Sequence, residues 1–328
     1  MEKPELAIII PAFKSTFFRE CLWSISQQSV KHFRVYVCND AGDSEIEVIV
    51  NEYSKIIPIS YKYFENNLGR ISLTKQWERC IFQSEDEPWI WLFSDDDIMP
   101  SDAVERFYSS LEQTPLMDVF RFPLAIINEK SEIIRVNKNL PRHISNFDAL
   151  RKKLRGEIST AACEYIVRRS RIYSCGGYKE FPLAWCSDDA SILSFANVTG
   201  MEIIGGAPVL WRNAANINIS NSTLYDSQKL DAVEQFIIYL TYNYPELFED
   251  NSFLIDLSIY TKTILYVSLG DRTSLINTIQ FLLSIAKRIT YKWGFRLGFH
   301  VIIRRLYTTT FKRSFIKNSS IILKVAIL

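Results

Sequence analysis

Short apolar runs alternate with segments of helical spacing along the first hundred or so residues. Residues 6–10 and 89–93 contain only apolar side chains, a pattern typical of strands that are buried on both faces of a sheet. Further strands are predicted over 33–38 and 59–64, with helices over 17–28, 45–54 and 71–83. Because crossovers between parallel strands are right-handed, this order predicts an α/β fold with a Rossmann-like, mostly parallel sheet flanked by helices.

Segments that contain polar residues directly follow three of these strands, over 11–14, 39–43 and 94–97. The carboxyl ends of parallel strands meet at one edge of a sheet, where open α/β sheets bind their ligands. The last group contains Asp95, Asp96 and Asp97, whose charges repel one another unless a cation lies between them. Carboxylate oxygens suit Mg²⁺ or Mn²⁺, ions that also bridge phosphates. The alternative is a solvated acidic turn before a helix that starts near Pro100.

The pattern changes after residue 117. Strands are predicted over 119–122, 133–136 and 161–167, and helices over 146–154, 168–173 and 190–199. The acidic pair Asp188 and Asp189 directly precedes the last of these helices. Such a pair can serve chemistry or merely complement the helix dipole. Beyond Arg212 only helices are predicted, over 227–244, 253–269 and 273–289.

The formal charge of +1 conceals an asymmetry. From Lys287 to the C-terminus the chain has ten basic residues and no acidic one, so the preceding part carries −9. A basic tail on an acidic body predicts an anionic partner for the tail. Aromatic residues within it, such as Trp293 and Phe295, favour an anionic membrane surface, and packed helices with solvated basic faces are the alternative. Nucleic acid is not expected as a partner, because no binding module is recognisable and the acidic body repels phosphate.

Cysteine usage and hydropathy indicate a reducing compartment. The six cysteines include no C-x-x-C pair, and the three histidines are too scattered to suggest a zinc site. We therefore expect reduced, mostly buried thiols. Neither a signal peptide nor an apolar run of membrane-spanning length is recognisable. The expected location is cytoplasmic, with peripheral attachment at the inner face of the cell membrane through the tail.

Several short motifs resemble those of the family-two glycosyltransferases of GT-A fold. They are, in chain order, IIIPAF at 8–13, VCNDAGD at 37–43, NLG at 67–69, FSDDD at 93–97, GGY at 176–178 and SDD at 187–189. Each motif is short, but their order and spacing make the combination specific. The resemblance covers about residues 5–212 and leaves the helical C-terminal part outside.

The resemblance implies a nucleotide-sugar-dependent, inverting glycosyltransferase. It implies a GT-A catalytic domain over 1–215, with a nucleotide-sugar half at 1–117 and an acceptor half at 118–215, followed by a helical region at 216–328. The implied donor-binding residues are Pro11, Ala12, Phe13, Lys14, Asp40, Asn67, Gly69, Arg70, Lys75, Asp95 and Asp96. A carboxylate such as Asp40 can accept the N–H of uracil, and a turn-forming role beside Gly42 is the alternative. Arg70 and Lys75 are equally compatible with solvated helix positions.

The metal site departs from the family pattern at one residue. The common motif begins with Asp where this chain has Ser94, so the expected ligands of Mg²⁺ or Mn²⁺ are Asp96 with Asp95 or Asp97. Such an ion neutralises the charge that builds on a leaving diphosphate.

Inversion requires a base on the face of the sugar opposite the leaving group. In the family this base is the second residue of an acidic pair, which maps to Asp189, with Asp188 beside it. On the acceptor side the resemblance adds Gly177. Trp185 could stack on an acceptor sugar, and a core tryptophan is the alternative.

These observations predict transfer of a sugar, with UDP as the favoured nucleotide, to a lipid-linked oligosaccharide or a surface polysaccharide. A nucleotidyltransferase is disfavoured, because residues 11–14 lack the glycine of a phosphate-binding loop. A catalytically inactive, sugar-nucleotide-binding scaffold would be expected to lack Asp96 or Asp189, and both are present.

Overall fold

A computed structural model describes residues 5–214, 218, 221–265 and 275–288. The chain divides into two compact units, Met1–Ala232 and Val233–Leu328. The basic tail that the sequence predicts to contact a membrane lies outside the described residues, apart from the end of the last helix. All six cysteines lie in the described part and are free, and five of them are buried.

The first half of unit one alternates strands with helices. Its strands are β1 (Leu6–Ala12), β2 (Phe33–Asp40), β3 (Ile59–Phe64) and β4 (Trp89–Leu92). Its helices are α1 (Phe18–Ser26), α2 (Glu45–Tyr53), α3 (Leu73–Ile81) and α4 (Ala103–Gln113). The predicted β-α-β-α-β-α-β order is therefore confirmed, with boundaries within about two residues of those expected.

The second half of this unit is more irregular. Its strands are β5 (Val119–Arg121), β6 (Leu124–Ile127), β7 (Ile133–Val136), β8 (His143–Ile144), β9 (Tyr165–Arg168), β10 (Met201–Ile203) and β11 (Val209–Arg212). Its helices are α5 (Asn146–Leu154), α6 (Arg169–Ser174) and α7 (Ser187–Phe195). The strand predicted over 161–167 is a 3-10 turn at Ala162–Glu164 followed by β9, and β6, β8, β10 and β11 were not predicted. These four strands have two to four residues each, too short to produce a recognisable period.

Eight strands form one sheet in the order β3-β2-β1-β4-β9-β5-β10-β8, and β11-β6-β7 form a second, smaller sheet. Strand β1 pairs in parallel with β2 and with β4, so the carboxyl ends of these three strands meet at one edge. Strand β9 pairs with β4 in the antiparallel direction and extends the sheet beyond it. The register of β1 continues through Pro11, which lies opposite Cys38, whereas the sequence predicted that the strand would end there.

Both faces of the large sheet are buried, which explains the all-apolar runs. Successive residues of β1 enter different clusters: Ile8 and Ile10 pack on one face and Ile9 on the other. The first cluster contains Trp91, whose ring stacks on Phe122 with centroids 4.8 Å apart. Strand β3 lies at the edge of the sheet, and each of its residues is either partly buried or exposed.

Unit two is helical in its described part. Helix α8 (Asp226–Asn243) crosses the boundary between the units, and α9 (Asn251–Thr263) and α10 (Leu275–Arg288) follow. Phe236 on α8 and Tyr260 on α9 are buried, with ring centroids 6.5 Å apart. Within the described ranges, no helix combines the length and apolar character needed to cross a membrane.

Candidate active site

The acidic turn Ser94–Asp97 directly follows β4 and lies at the carboxyl edge of the sheet. Asp95 and Asp96 are partly exposed, whereas Asp97 is fully buried. The three carboxylates predicted to share a metal therefore point into two different environments.

Asp95 joins the acidic turn to the end of β1. Its Oδ2 accepts hydrogen bonds from the backbone N–H groups of Phe13 at 2.8 Å and Lys14 at 3.2 Å. The Phe13 carbonyl accepts in turn from the Asp43 N–H in the loop after β2. Three loops that are separate in sequence thus meet here, as the strand order predicted.

Asp96 lies between the other two acids in sequence and is repelled by both. Burial raises the pKa of its carboxyl well above the ordinary value, and repulsion from Asp97 and Asp95 raises it further, while the charge of Arg212 lowers it. The backbone N–H of Asp96 itself also favours the charged form. Repulsion among adjacent carboxylates is costly, and a bound cation would remove that cost.

Asp97 faces the protein interior. Its Oδ1 accepts a hydrogen bond of 2.8 Å from the Arg212 N–H, and its Oδ2 has no hydrogen-bond partner in the described structure. Burial raises the pKa of Asp97 to about 6, although the nearby Cys163 side chain, the Arg212 N–H and the Ser94 side chain favour the charged form. This placement separates Asp97 from the side of the turn where Asp95 and Asp96 reach the surface.

The acidic turn fits a metal ion that takes part of its coordination from elsewhere. Among the described residues, no three His, Cys, Asp or Glu side chains are arranged to hold a metal ion. Asp95 and Asp96 are the two carboxylates of the turn that could supply oxygen ligands. Mg²⁺ is commonly bound in this way, through one or two carboxylates together with substrate phosphates and water.

Asp40, at the end of β2, holds the turn that precedes α3. Its two carboxylate oxygens accept hydrogen bonds from the backbone N–H groups of Leu68 at 2.8 Å and Gly69 at 2.7 Å. The Arg79 guanidinium also donates to it and lies over the Phe64 ring, 3.8 Å from its centroid. Asp40 is only 4% exposed, so its contacts favour the turn-holding role over direct recognition of uracil.

Gly69 is required at this turn because the chain passes close to the Asp40 carboxylate. A Cβ at position 69 would lie 2.7 Å from Asp40 Oδ2, closer than real Cβ atoms approach. Asn67 completes the turn by accepting the Arg70 N–H at 2.7 Å. The side chain of Arg70 is exposed, and exposed Lys75 lies 3.5 Å from Glu180. The structure thus places both cations near the turn, on its solvent side.

The two acids at the start of α7 differ in their surroundings. Asp189 forms an ion pair with Lys153, and its Oδ1 accepts a hydrogen bond of 2.8 Å from the Thr160 hydroxyl. These three side chains line a cavity of about 30 Å³, which suits a water molecule but not a sugar.

Asp188 has no comparable protein donor among the described residues. Burial raises the pKa of its carboxyl, and the nearby charge of Lys153 lowers it. Burial raises the pKa of Tyr178, and the charge of Asp188 raises it further. Its own backbone N–H also favours the charged form of Asp188. A carboxylate with a raised pKa that is not held in an ion pair suits a general base better than one that is.

The segment before α7 has an unusual backbone. Leu183, Ala184 and Cys186 all have positive φ angles of 52° to 65°, a region that non-glycine residues seldom occupy. Trp185 lies within this segment, is partly exposed, and has the Lys229 ammonium 5.3 Å from its ring centroid. Strained backbone of this kind is concentrated at functional sites.

Gly177 contacts α3 rather than an open surface. Its φ is +80°, and a Cβ would lie 2.0 Å from a carboxylate oxygen of Glu78. The same oxygen accepts the Tyr178 N–H at 2.8 Å.

The contacts also reveal residues that the sequence motifs did not identify: Glu20, Arg79, Lys153 and Arg212. Arg212 ends the apolar strand β11, which is the same signature that drew attention to the aspartates after β4. The others lie on helices with no local signal.

A mostly parallel sheet flanked by helices, with carboxylates at its carboxyl edge, is the architecture of the GT-A fold. The model of glycosyl transferase family 2 matches residues 7–177, more than half of the chain, and the chain belongs to this family. No curated protein matches the chain in sequence.

Solved structures of glycosyltransferases share this fold. TarS 1-349 from S. aureus, in complex with UDP-GlcNAc, is 12% identical over 88% of this chain and 82% of that chain, with a TM-score of 0.66. GalNAc-T7 with UDP, GalNAc and Mn²⁺ is 10% identical over 94% of this chain and 58% of that chain, with a TM-score of 0.54. The mannosyltransferase PcManGT from Pyrobaculum calidifontis, in complex with GDP-Man and Mn²⁺, is 12% identical over 95% of this chain and 89% of that chain, with a TM-score of 0.50. At these identities the similarity establishes the fold.

Proposed function

We propose that this protein transfers a sugar from a nucleotide-diphosphate sugar to an acceptor hydroxyl, with inversion at the anomeric carbon. The observation that carries the proposal is the meeting of the acidic turn, the end of β1 and the loop after β2 at one sheet edge. Membership of glycosyl transferase family 2 supports sugar transfer. The nucleotide sugars bound by TarS and PcManGT support this class of donor, and TarS favours UDP.

On the donor side, Asp95 and Asp96 are the proposed ligands of Mg²⁺ or Mn²⁺. When bound, the ion would neutralise the charge of the leaving diphosphate. The remaining donor surface is assigned to Pro11–Lys14 and to the turn held by Asp40, with exposed Arg70 and Lys75 available to phosphate oxygens.

Asp188 is the proposed base that accepts the proton of the acceptor hydroxyl. The family resemblance assigned the role of base to Asp189, but the ion pair with Lys153 and the Thr160 hydrogen bond occupy that carboxylate. Asp189 is assigned instead to fixing the start of α7 against α5 through Lys153. Trp185, in the strained segment before α7, is the proposed stacking surface for the acceptor sugar.

The proposed acceptor is a lipid-linked oligosaccharide or a surface polysaccharide at the inner face of the cell membrane. The ten basic residues from Lys287 onward, interspersed with aromatic ones, support attachment to anionic lipid. Sedimentation of the full chain with phosphatidylglycerol vesicles, but not with phosphatidylcholine vesicles, is the expected result.

Thermal unfolding with UDP and with GDP, each with and without Mn²⁺, tests the donor assignment. A metal-dependent rise in melting temperature with one nucleotide is expected in the wild type, and Asp96→Ala should abolish it. Transfer from the corresponding nucleotide sugars to lipid extracts then tests turnover. Absence of both a shift and transfer would favour the inactive scaffold and overturn the proposal.

A further inference from the structure

Arg212, the last residue of β11, is fully buried and contacts the acidic turn twice. Its backbone N–H donates to Asp97 Oδ1 and its Nε donates to the Asp96 carbonyl, both at 2.8 Å. Two hydrogen bonds between the backbones of Ile98 and Leu210, each 3.0 Å, continue this contact. The turn that carries the proposed metal ligands is therefore attached to β11 at Asp96, at Asp97 and at the following Ile98.

The far side of the guanidinium is fixed just as firmly. Its Nη1 donates to the Asn128 carbonyl and to the Ser131 hydroxyl, both at 3.0 Å. Its Nη2 lies 2.6 Å from a Glu20 carboxylate oxygen, and the Ser131 hydroxyl donates to the other oxygen at 2.7 Å. The Phe17 ring covers one face, 4.1 Å from the guanidinium carbon to the centroid.

These contacts depend on the planar shape of the Arg212 guanidinium and on its several N–H donors. A guanidinium presents donors in several fixed directions, whereas a lysine ammonium is a single flexible point charge. Lysine at position 212 would keep the positive charge and the backbone hydrogen bond to Asp97. It could not reach the Asp96 carbonyl, the Asn128–Ser131 turn and Glu20 together. The orientation of Asp96 would then no longer be fixed by its neighbour.

We propose that Arg212 is a positioning residue that holds the acidic turn so that Asp96 and Asp95 face the metal and diphosphate, and that Glu20 in turn orients Arg212. The inference rests on the proposed function, because it assigns a purpose to the orientation of the turn. Arg212 acts through Asp96 and contacts neither donor nor acceptor.

The test compares Arg212→Lys with the matched control Arg168→Lys. Arg168 makes a similar set of contacts at the opposite end of β4, with Asp118 at 3.0 Å, with the Pro115 and Met117 carbonyls, and over the Trp89 ring. Mn²⁺ affinity is measured by electron paramagnetic resonance with UDP present, UDP affinity is measured without metal, and the unfolding midpoint is recorded for each variant.

Loss of a group that orients a metal ligand typically weakens metal affinity roughly 10- to 100-fold. Arg212→Lys is expected to show such a loss, with metal-free UDP affinity unchanged, whereas Arg168→Lys should keep wild-type Mn²⁺ affinity. A merely structural role would lower the unfolding midpoint without this selective effect. Glu20→Gln should also weaken Mn²⁺ binding. Because the Glu20 side chain is 38% exposed, this variant replaces Arg212→Lys in the test if Arg212→Lys does not fold.

Two outcomes overturn the inference in distinguishable ways. Wild-type Mn²⁺ affinity in both Arg212→Lys and Glu20→Gln, or an equal loss in Arg168→Lys, removes the positioning role alone. Failure of the wild-type protein to bind Mn²⁺ and UDP removes the proposed function and the positioning role together.

Discussion

Asp189 and Lys153 form an ion pair in which the carboxylate side chain is 6% exposed and the ammonium side chain 19%. The pair joins α7 to α5, and the Thr160 hydroxyl completes it. Adjacent Asp188 experiences the charge of Lys153, but neither the ion pair nor the Thr160 hydrogen bond is made to it. The ion pair therefore divides two consecutive acids into a structural residue and a candidate for proton transfer.

Asp188→Asn should abolish most turnover while sparing donor binding. The amide keeps the size of the side chain but cannot accept the proton, and a general base commonly contributes about 10²- to 10⁴-fold. We expect a fall in kcat of at least about 100-fold with UDP affinity within about twofold of wild type. Steady-state kinetics and UDP titration measure the two quantities. Near-normal turnover in this variant would remove Asp188 as the base.

Asp189→Asn should act mainly on stability. It leaves a largely buried ammonium without its charged partner, which costs roughly 1–3 kcal/mol of unfolding free energy. Denaturant unfolding measures this cost. Activity per folded molecule should remain far above that of Asp188→Asn, and the reverse ranking would return the base assignment to Asp189.

The pH profile should report a raised carboxyl pKa. Asp188 accepts a proton only when ionised, and burial raises its pKa. The acid limb of kcat/KM is therefore expected at a pH above about 3.9, the ordinary aspartate value, with activity lost as the pH falls through it. In Asp188→Asn the residual activity should lack this limb. An identical limb in wild type and variant would assign it to another group.

Gly69→Ala should weaken nucleotide binding. The added Cβ would lie 2.7 Å from Asp40 Oδ2 and push the turn away from the carboxylate that holds it. We expect UDP affinity to fall roughly tenfold, equivalent to about 1.4 kcal/mol. Gly205→Ala is the matched control, because no atom lies within 4 Å of its Cβ position. Equal affinities in the two variants would contradict the role of the turn.

Asp97→Asn should stabilise the metal-free protein at neutral pH. The folded-state pKa of about 6 lies above the unfolded value of about 3.9, so the folded wild type binds the extra proton and loses stability as the pH rises between these values. The asparagine variant lacks this loss and can still accept the Arg212 N–H. The difference in unfolding free energy should grow from pH 4 to 6 and level off at no more than about 3 kcal/mol. Urea unfolding in chelator at pH 4.5 and 7.5 checks the sign, and a variant less stable than wild type at pH 7.5 would contradict it.

Several features could be predicted because their causes are local. A run such as Leu6–Ile10 has no polar face to present to water, which favours burial on both faces, and parallel pairing then brings Asp40 and Asp95 to one edge. The short strands β10 and β11 could not be predicted, because three or four residues carry no period and tertiary pairing alone makes them strands.

The sequence by itself determined which acids stand at the carboxyl edge. The succession of apolar strands and the acidic residues that follow them can be recognised from local sequence alone. Only the tertiary structure decided which of those acids are available for chemistry. Asp97 is turned inward by Arg212, 115 residues away, and Asp189 is occupied by Lys153, 36 residues away. Adjacent acids look equivalent in a sequence, but a carboxylate's role depends on the donors that folding brings to it from distant segments.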